Sequence, residues 1–470
     1  MIGLRKSLLK RAAKKKTVIF DRFASVPALS SGAAAMGTLG GGNNVLVKGE
    51  TLCAKSLKNC DVTGNVLRRG IGAKFFLSKS GNTLTGINAS TLNKILRVNM
   101  KADNAKGFIE RFLMVFNDGY VRLYDESERG FTESYLFGAN TKGVLLRAES
   151  GEERYLIAGE SGSRFLKQDG TLYETDFTKV RHALCVCKNR LFIAQTGGKL
   201  LYSDPLTPWE VRESIHDGGY IQMPVAYGEP IDLIAVGDCV YVLYQRAILC
   251  VSVRGSGKEF RVEETFYTGA KILVGSGCPT ADGLVFLATD GLWRLNGLKA
   301  ERICKNLPLN VYLQSNTCNA VVFGEKYLLR YQSDNGTLRS VVVDLAEENY
   351  YDCYDLVGLS GGADVPIFLK GNLVYQLGET VLPSGEKSSF ESVDLDFGIV
   401  GKKTLRRVTL VGEGGLTLST YCDGVCVQRS VELESGRADV DLDLRGENFS
   451  FAIELKSKSS LRSLCAEIVW

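Results

Sequence analysis

Phe112-Leu113-Met114-Val115-Phe116-Asn117-Asp118-Gly119-Tyr120-Val121-Arg122-Leu123-Tyr124 decides the fold class. Two runs of apolar and aromatic residues flank an Asn-Asp-Gly turn, and such a pair of runs reads as a β-hairpin, because the turn needs positive φ and the flanks suit a pleated, half-buried surface. The same arrangement recurs outward in both directions. Upstream, Phe75-Phe76-Leu77 turns at Ser80-Gly81. Downstream, Tyr155-Leu156-Ile157-Ala158 turns between Gly159 and Gly162, and Leu191-Phe192-Ile193-Ala194 turns at Gly197-Gly198. Val240 to Tyr244 reverses near Gln245-Arg246, and Leu284 to Leu287 reverses at Asp290-Gly291 into Leu292-Trp293-Arg294-Leu295. The last two are Tyr327-Leu328-Leu329 with Asn335-Gly336, and Ile367-Phe368-Leu369 with Gly371-Asn372. The turns recur about every 40 residues, the length of a four-stranded propeller blade. The expected fold is all-β, a β-propeller of about seven blades, with six or eight left open because the first and last copies can share a closing blade.

The text changes near residue 386. Strand candidates from Phe390 to Trp470 alternate strictly, as in Val440-Asp441-Leu442-Asp443-Leu444, which predicts a C-terminal antiparallel β-sandwich over 386–470. The propeller is assigned to 45–385, and residues 1–44 to a basic arm and flexible linker. Residues 1–22 hold eight Lys/Arg against Asp21 alone, and Leu4, Leu8 and Leu9 fall at one-turn spacing, so the segment is read as a short basic helix. Arg5, Lys6, Lys10, Arg11, Lys14, Lys15 and Lys16 are its candidate partner-contact residues. Gly40-Gly41-Gly42-Asn43-Asn44 ends the linker.

Composition bounds the function. The whole chain of 470 residues carries a net charge of +4, but outside residues 1–22 there are 49 basic residues against 52 acidic, so a binder coating nucleic acid with its whole surface is not expected. Thirteen cysteines and no apolar leader at the N-terminus suggest reduced thiols serving as small core residues. No run approaches the ~18 apolar residues of a membrane helix, so no stable membrane insertion is expected.

Motifs for chemistry are sparse. His182 and His216 stand apart from any ligand set. Cys185-Val186-Cys187 offers two thiols on one strand face, and in Cys422-Asp423-Gly424-Val425-Cys426 a two-residue turn sets Cys422 opposite Val425. Gly159-Glu160-Ser161-Gly162-Ser163 lacks the final glycine of a nucleophile elbow and falls in a hairpin. Ser203-Asp204-Pro205 to Trp209 is read as a turn anchored by tryptophan. No catalytic residue, metal or cofactor is expected.

Three stretches resemble the propeller proteins of double-stranded DNA bacteriophage tails and head-to-tail connectors, the nozzle or tail-stabilising proteins. They are Asn59 to Gly70, Leu201 to Trp209 with the paired runs Ile231–Val236 and Val240–Val253, and Asp394 to Gly398 with Lys402 to Val408. The resemblance implies a structural virion protein that assembles as a homo-oligomeric ring below the portal or adaptor among other tail components and lines or closes the DNA channel, with its basic arm either docked on an acidic neighbour or lying near DNA in non-specific contact. It would be assembled in the host cytoplasm and reside in the virion tail. A cellular scaffold propeller binding peptides, or a glycan-binding or glycan-cleaving propeller with an acidic axial pocket, are the alternatives.

Overall fold

Each Gly-containing turn does what its residues require. At Asn117-Asp118-Gly119 the Asp118 carboxylate accepts a bond from the Tyr120 amide at 3.0 Å, and Gly119 takes φ 85°, which a side chain would strain. Strand Phe108–Phe116 then pairs antiparallel with Tyr120–Asp125, Leu113 opposite Leu123. The computed structural model describes residues 14–24, 44–76, 91–102, 107–125, 130–175, 183–211, 217–267, 269–297, 299–305, 307, 318–360, 365–371, 373–379 and 381–470. The chain is all-β, and its described residues divide into two compact units: one within Met1–Gly72, Asn349–Asp352 and Glu379–Trp470, the other within Ala73–Glu348 and Cys353–Gly378.

The second unit is a β-propeller. Blade 1 runs from Leu92–Lys101 through Gly130–Leu136, blade 2 from Lys142–Arg147 through Leu172–Glu174, and blade 3 from Leu184–Cys187 through Gly219–Gln222. Blade 4 runs from Pro230–Val236 through Arg261–Tyr267 and blade 5 from Cys278–Pro279 through Lys299–Ile303; all five are four-stranded. The closing sheet combines Ile367–Lys370 and Leu373–Glu379 with the early strand Gly72–Phe75. These are six separate sheets, one fewer than the seven blades expected. The repeat around Asn335-Gly336 forms the meander Asn319–Phe323, Lys326–Gln332 and Leu338–Asp344, which does not close as a sheet of its own. The ring shuts where Gly358, just before the closing sheet, bridges in parallel to Lys94 of blade 1, with the Ile95 amide donating to the Gly358 carbonyl at 2.9 Å.

The core lies between blades. Gly283–Ala288 and Ala247–Ser252 are buried along their whole length, because both faces of a blade are covered by its neighbours. One cluster packs Val98, Val115 and Val121 of blade 1 on Tyr155, Ile157 and Leu166 of blade 2; another packs Phe192 and Tyr202 of blade 3 on Val242 and Leu249 of blade 4.

The other unit corrects the expected boundaries. Its strands are β1 (Lys15–Ala24), β2 (Asn44–Lys58), β3 (Cys60–Thr63), β4 (Val66–Arg69), β5 (Tyr350–Asp352), β6 (Ser388–Ser392), β7 (Lys403–Glu413), β8 (Gly415–Cys422), β9 (Val425–Glu432), β10 (Arg437–Gly446), β11 (Phe449–Leu455) and β12 (Ser460–Val469). Pairing runs β10-β7-β12-β1-β2 on one side and β9-β8-β11-β6-β2 on the other, so β2 belongs to both strings. The predicted sandwich confined to 386–470 is therefore corrected: strands from the first seventy residues complete this unit, and residues 45–71 do not belong to the propeller. The predicted basic helix is also corrected over 15–24. Val18, Phe20 and Phe23 are buried and β1 lies between β2 and β12, because an alternating apolar strand gains more from two ladders than a short lysine-rich helix gains alone.

Candidate functional site

The inner strands of the blades leave a cavity of about 670 Å³ on the propeller axis. That is ample for a small organic ligand. Its wall is largely aliphatic, with Leu96, Val144, Leu184, Leu233 and Val321 among the lining residues. Lys94 from blade 1, Lys142 from blade 2 and Asp232 from blade 4 are the charged residues that line it. The topology places them there: each sits on the first strand of its blade, where alternation turns one residue to the axis for each one turned into the blade interface.

Lys142 is ion-paired with Asp232, and its Nζ also donates to the Leu233 carbonyl at 3.1 Å. Asp232 is buried and accepts a further bond from the Leu233 amide at 2.7 Å. The Lys94 ammonium has no hydrogen bond or ion pair among the described residues. Burial pulls its pKa down to about 8, the positive Lys142 pushes the same way, and Asp232 opposes them. Three thiols, Cys185, Cys278 and Cys318, also line the cavity; burial raises the first two well above the ordinary thiol range and the third to about 12, so all three are neutral at pH 7.

Lys94 makes stability depend on pH. Below about pH 8 it is protonated in both the folded and unfolded chain, and the burial cost is constant. Between about 8 and the ordinary lysine value the folded protein releases its proton first, the unfolded chain holds more protons, and stability rises with pH. Lys94→Met is accordingly expected to be more stable than wild type at pH 7, with the difference shrinking toward pH 10. Urea midpoints of both proteins at the two pH values check this; an offset that stays constant would place the ammonium in water.

The other unit contains a basic concavity of about 360 Å³, lined by Arg68, Arg69, Lys458 and Arg462 with Glu413 as its acid, Glu413 pairing with Arg462 at 2.7 Å. Such a cluster favours anions. Sulfur and oxygen donors of Cys239, Cys250 and Glu263 lie within 4.8 Å of one another in blade 4, one donor short of a closed tetrahedral site.

The residues singled out in the sequence are distributed differently. Arg5, Lys6, Lys10 and Arg11, and both His182 and His216, lie outside the described residues. The Lys14 amide donates to the Trp470 carbonyl at 3.2 Å, Lys15 pairs with Glu467 at 2.8 Å, and the buried Lys16 ammonium donates to the Phe397 carbonyl at 2.7 Å. Lys16 is thereby held inside the chain's own unit, which corrects its reading as an arm residue offered to a partner, while the Lys14 side chain is exposed and that of Lys15 is half-buried. Cys422 stands opposite Val425 across the Asp423-Gly424 turn, and Cys426 is exposed. Glu160-Ser161 forms the hairpin turn between Gly159 and Gly162. The buried Asp204 caps its turn by accepting from the Leu206 amide at 2.9 Å, while Trp209 is half-buried beneath the Arg154 guanidinium, 3.9 Å from its ring centroid. Lys94, Lys142 and Asp232 were not singled out in the sequence, where Lys94 is one of five polar residues in Leu92–Lys101, Lys142 opens its strand and Asp232 is one polar residue in an apolar run.

No family model matches the chain, and no curated protein matches it. Among solved structures, selenomethionine-substituted virginiamycin B lyase from Staphylococcus aureus superposes on 63% of this chain and 97% of its own, with a TM-score of 0.41 and 10% identity. The Pan2 WD40 domain of Neurospora crassa covers 65% of this chain and 94% of its own at a TM-score of 0.39 and 10% identity. Raptor of Chaetomium thermophilum matches 63% of this chain and 30% of its own, with a TM-score of 0.40 and 10% identity. At that distance the likeness speaks to no substrate, partner or activity.

Proposed function

We propose that this chain is a non-catalytic assembly protein, a structural component of a bacteriophage tail or head-to-tail connector that forms a ring with copies of itself against the portal or adaptor. The observation that carries the reading is the open edge of β9. Among the described residues this strand pairs only with β8, and seven of its eight residues are exposed or half-buried. Val425 is 59% exposed, and the exposed Cys426 stands opposite the exposed Tyr421. Natural proteins guard strand edges, and β10 at the other end of the pairing is guarded by Asp439, Asp441 and Asp443. The β9 edge carries one charge, Arg429, before its terminal glutamate, and it suits strand addition by a second copy. The sequence resemblance to tail and connector propellers supplies the setting, and the Arg68, Arg69 and Lys458 concavity supplies a surface for DNA phosphates near such a channel. A glycan-cleaving site needs two carboxylates, whereas among the described residues the axial cavity offers Asp232 alone, already held by Lys142.

The test is light scattering and electron microscopy of the full chain, alone and mixed with portal-bearing particles. Rings, or decoration of the portal vertex, are expected for wild type. The double variant Val425→Glu/Cys426→Glu, which alters two exposed positions, is expected to remain folded by circular dichroism and to lose both. A wild-type chain that stays monomeric and leaves the particles undecorated would overturn the reading.

A further inference from the structure

We propose that the axial cavity of the propeller is a binding site for a small organic monocarboxylate with an apolar body, its carboxylate held by Lys94. A charged group taken out of water costs free energy unless it is paired, and proteins pair such groups or neutralise them. Lys142 follows that rule through Asp232; Lys94 does not, although it lines the same cavity. Two ammonium groups against one carboxylate leave a single positive charge facing about 670 Å³ of space. The charge specifies the ligand head. One carboxylate balances it, whereas a phosphate dianion would carry a second charge with no partner. The wall specifies the body: Leu96, Val144, Leu184, Leu233 and Val321 offer dispersion contacts and no competing charge. The amides that could turn a ligand head elsewhere are engaged, Asn93 donating to the Ala139 carbonyl at 2.7 Å, Asn319 to the Leu359 carbonyl at 2.6 Å, and Asn140 to Glu160 at 3.1 Å.

The lysine's lowered pKa fits this assignment, since burial and the positive Lys142 disfavour its charge and a carboxylate would favour it. The titratable groups facing Lys94 are Lys142 on blade 2, Cys185 on blade 3, Asp232 on blade 4, Cys278 on blade 5 and Cys318 beside the meander. With the thiols neutral and Lys142 held by Asp232, Lys94 is the group whose titration changes the cavity's charge between pH 7 and 9. This inference does not rest on the assembly reading, because it concerns a cavity enclosed by one copy.

The experiment is calorimetric titration of the full chain with hexanoate, 1-hexanol and inorganic phosphate. Hexanoate is expected to bind roughly tenfold or more tightly than hexanol, the margin of a charge-assisted hydrogen bond, and phosphate more weakly than either. Lys94→Met is expected to lose that margin while still binding hexanol, and Lys94→Arg to keep part of it. Wild-type affinity for hexanoate should fall as the pH is raised from 7 to 9.5, over which the ligand's own charge is constant; this readout needs no variant to fold. Equal affinity for hexanoate and hexanol, tighter binding of phosphate, an unchanged margin in Lys94→Met, or no binding of hexanoate at millimolar concentration would each overturn the proposal.

Discussion

Replacing Asp232 by alanine is expected to destabilise the propeller by about 3–5 kcal/mol, the cost of stranding a buried charge whose partner is removed. The expectation is large because Asp232 serves two lysines. It holds Lys142 directly and offsets Lys94 through space, so its loss leaves two ammonium groups on one wall without a carboxylate. Denaturant unfolding of Asp232→Ala measures the loss, and Asp232→Ala/Lys142→Met should recover most of it, since a methionine removes the stranded charge and keeps its packing. A single variant within about 1 kcal/mol of wild type would mean that the pair behaves as a solvated surface bridge.

Phe20→Ala is the second large effect, with an expected cost of about 3–5 kcal/mol for a phenyl ring lost from a closed core. Phe20 is 1% exposed on β1, with β2 on one side and β12 on the other. Hydrogen exchange followed across Ser460–Val469 should accelerate in this variant, because β12 would lose the firm partner on one of its edges. Lys15→Ala, which removes the exposed pair with Glu467, should change stability by no more than about 1 kcal/mol. If residues 15–24 were a detachable arm, both variants would be silent in this assay.

β1 shows where sequence reading stops. Lysines and leucines at the start of the chain suggested a helix, and the contrary signal, Thr17-Val18-Ile19-Phe20, is a run of four that lacks strict polar alternation. Its buried pattern emerges only once β2 and β12 flank it, and neither partner can be read from spacing. The hairpins were legible for the opposite reason. At Asp290-Gly291, at Asn335-Gly336 and across Asp423-Gly424 the turn residues themselves carry the conformational requirement, so local sequence determines which strands pair. The axial site was invisible because Lys142 and Asp232 lie 90 residues apart on different blades and Lys94 lies on a third. No local pattern marks them; only closure of the ring gives them a common wall.

That closure has a consequence for how the chain comes to be folded. The strand Gly72–Phe75 waits for Ile367–Lys370 and Leu373–Glu379, and β1 waits for β12 on one of its two edges. Blades 1 to 5 can form as local meanders while translation proceeds, but Gly72–Phe75 lacks its partners, and β1 its second ladder, until the strands that follow blade 5 have been made. The chain should therefore mature in one late, slow step with its apolar N-terminal strands exposed until then, and its yield in a cell should respond more to chaperone supply than to the stability of the finished protein.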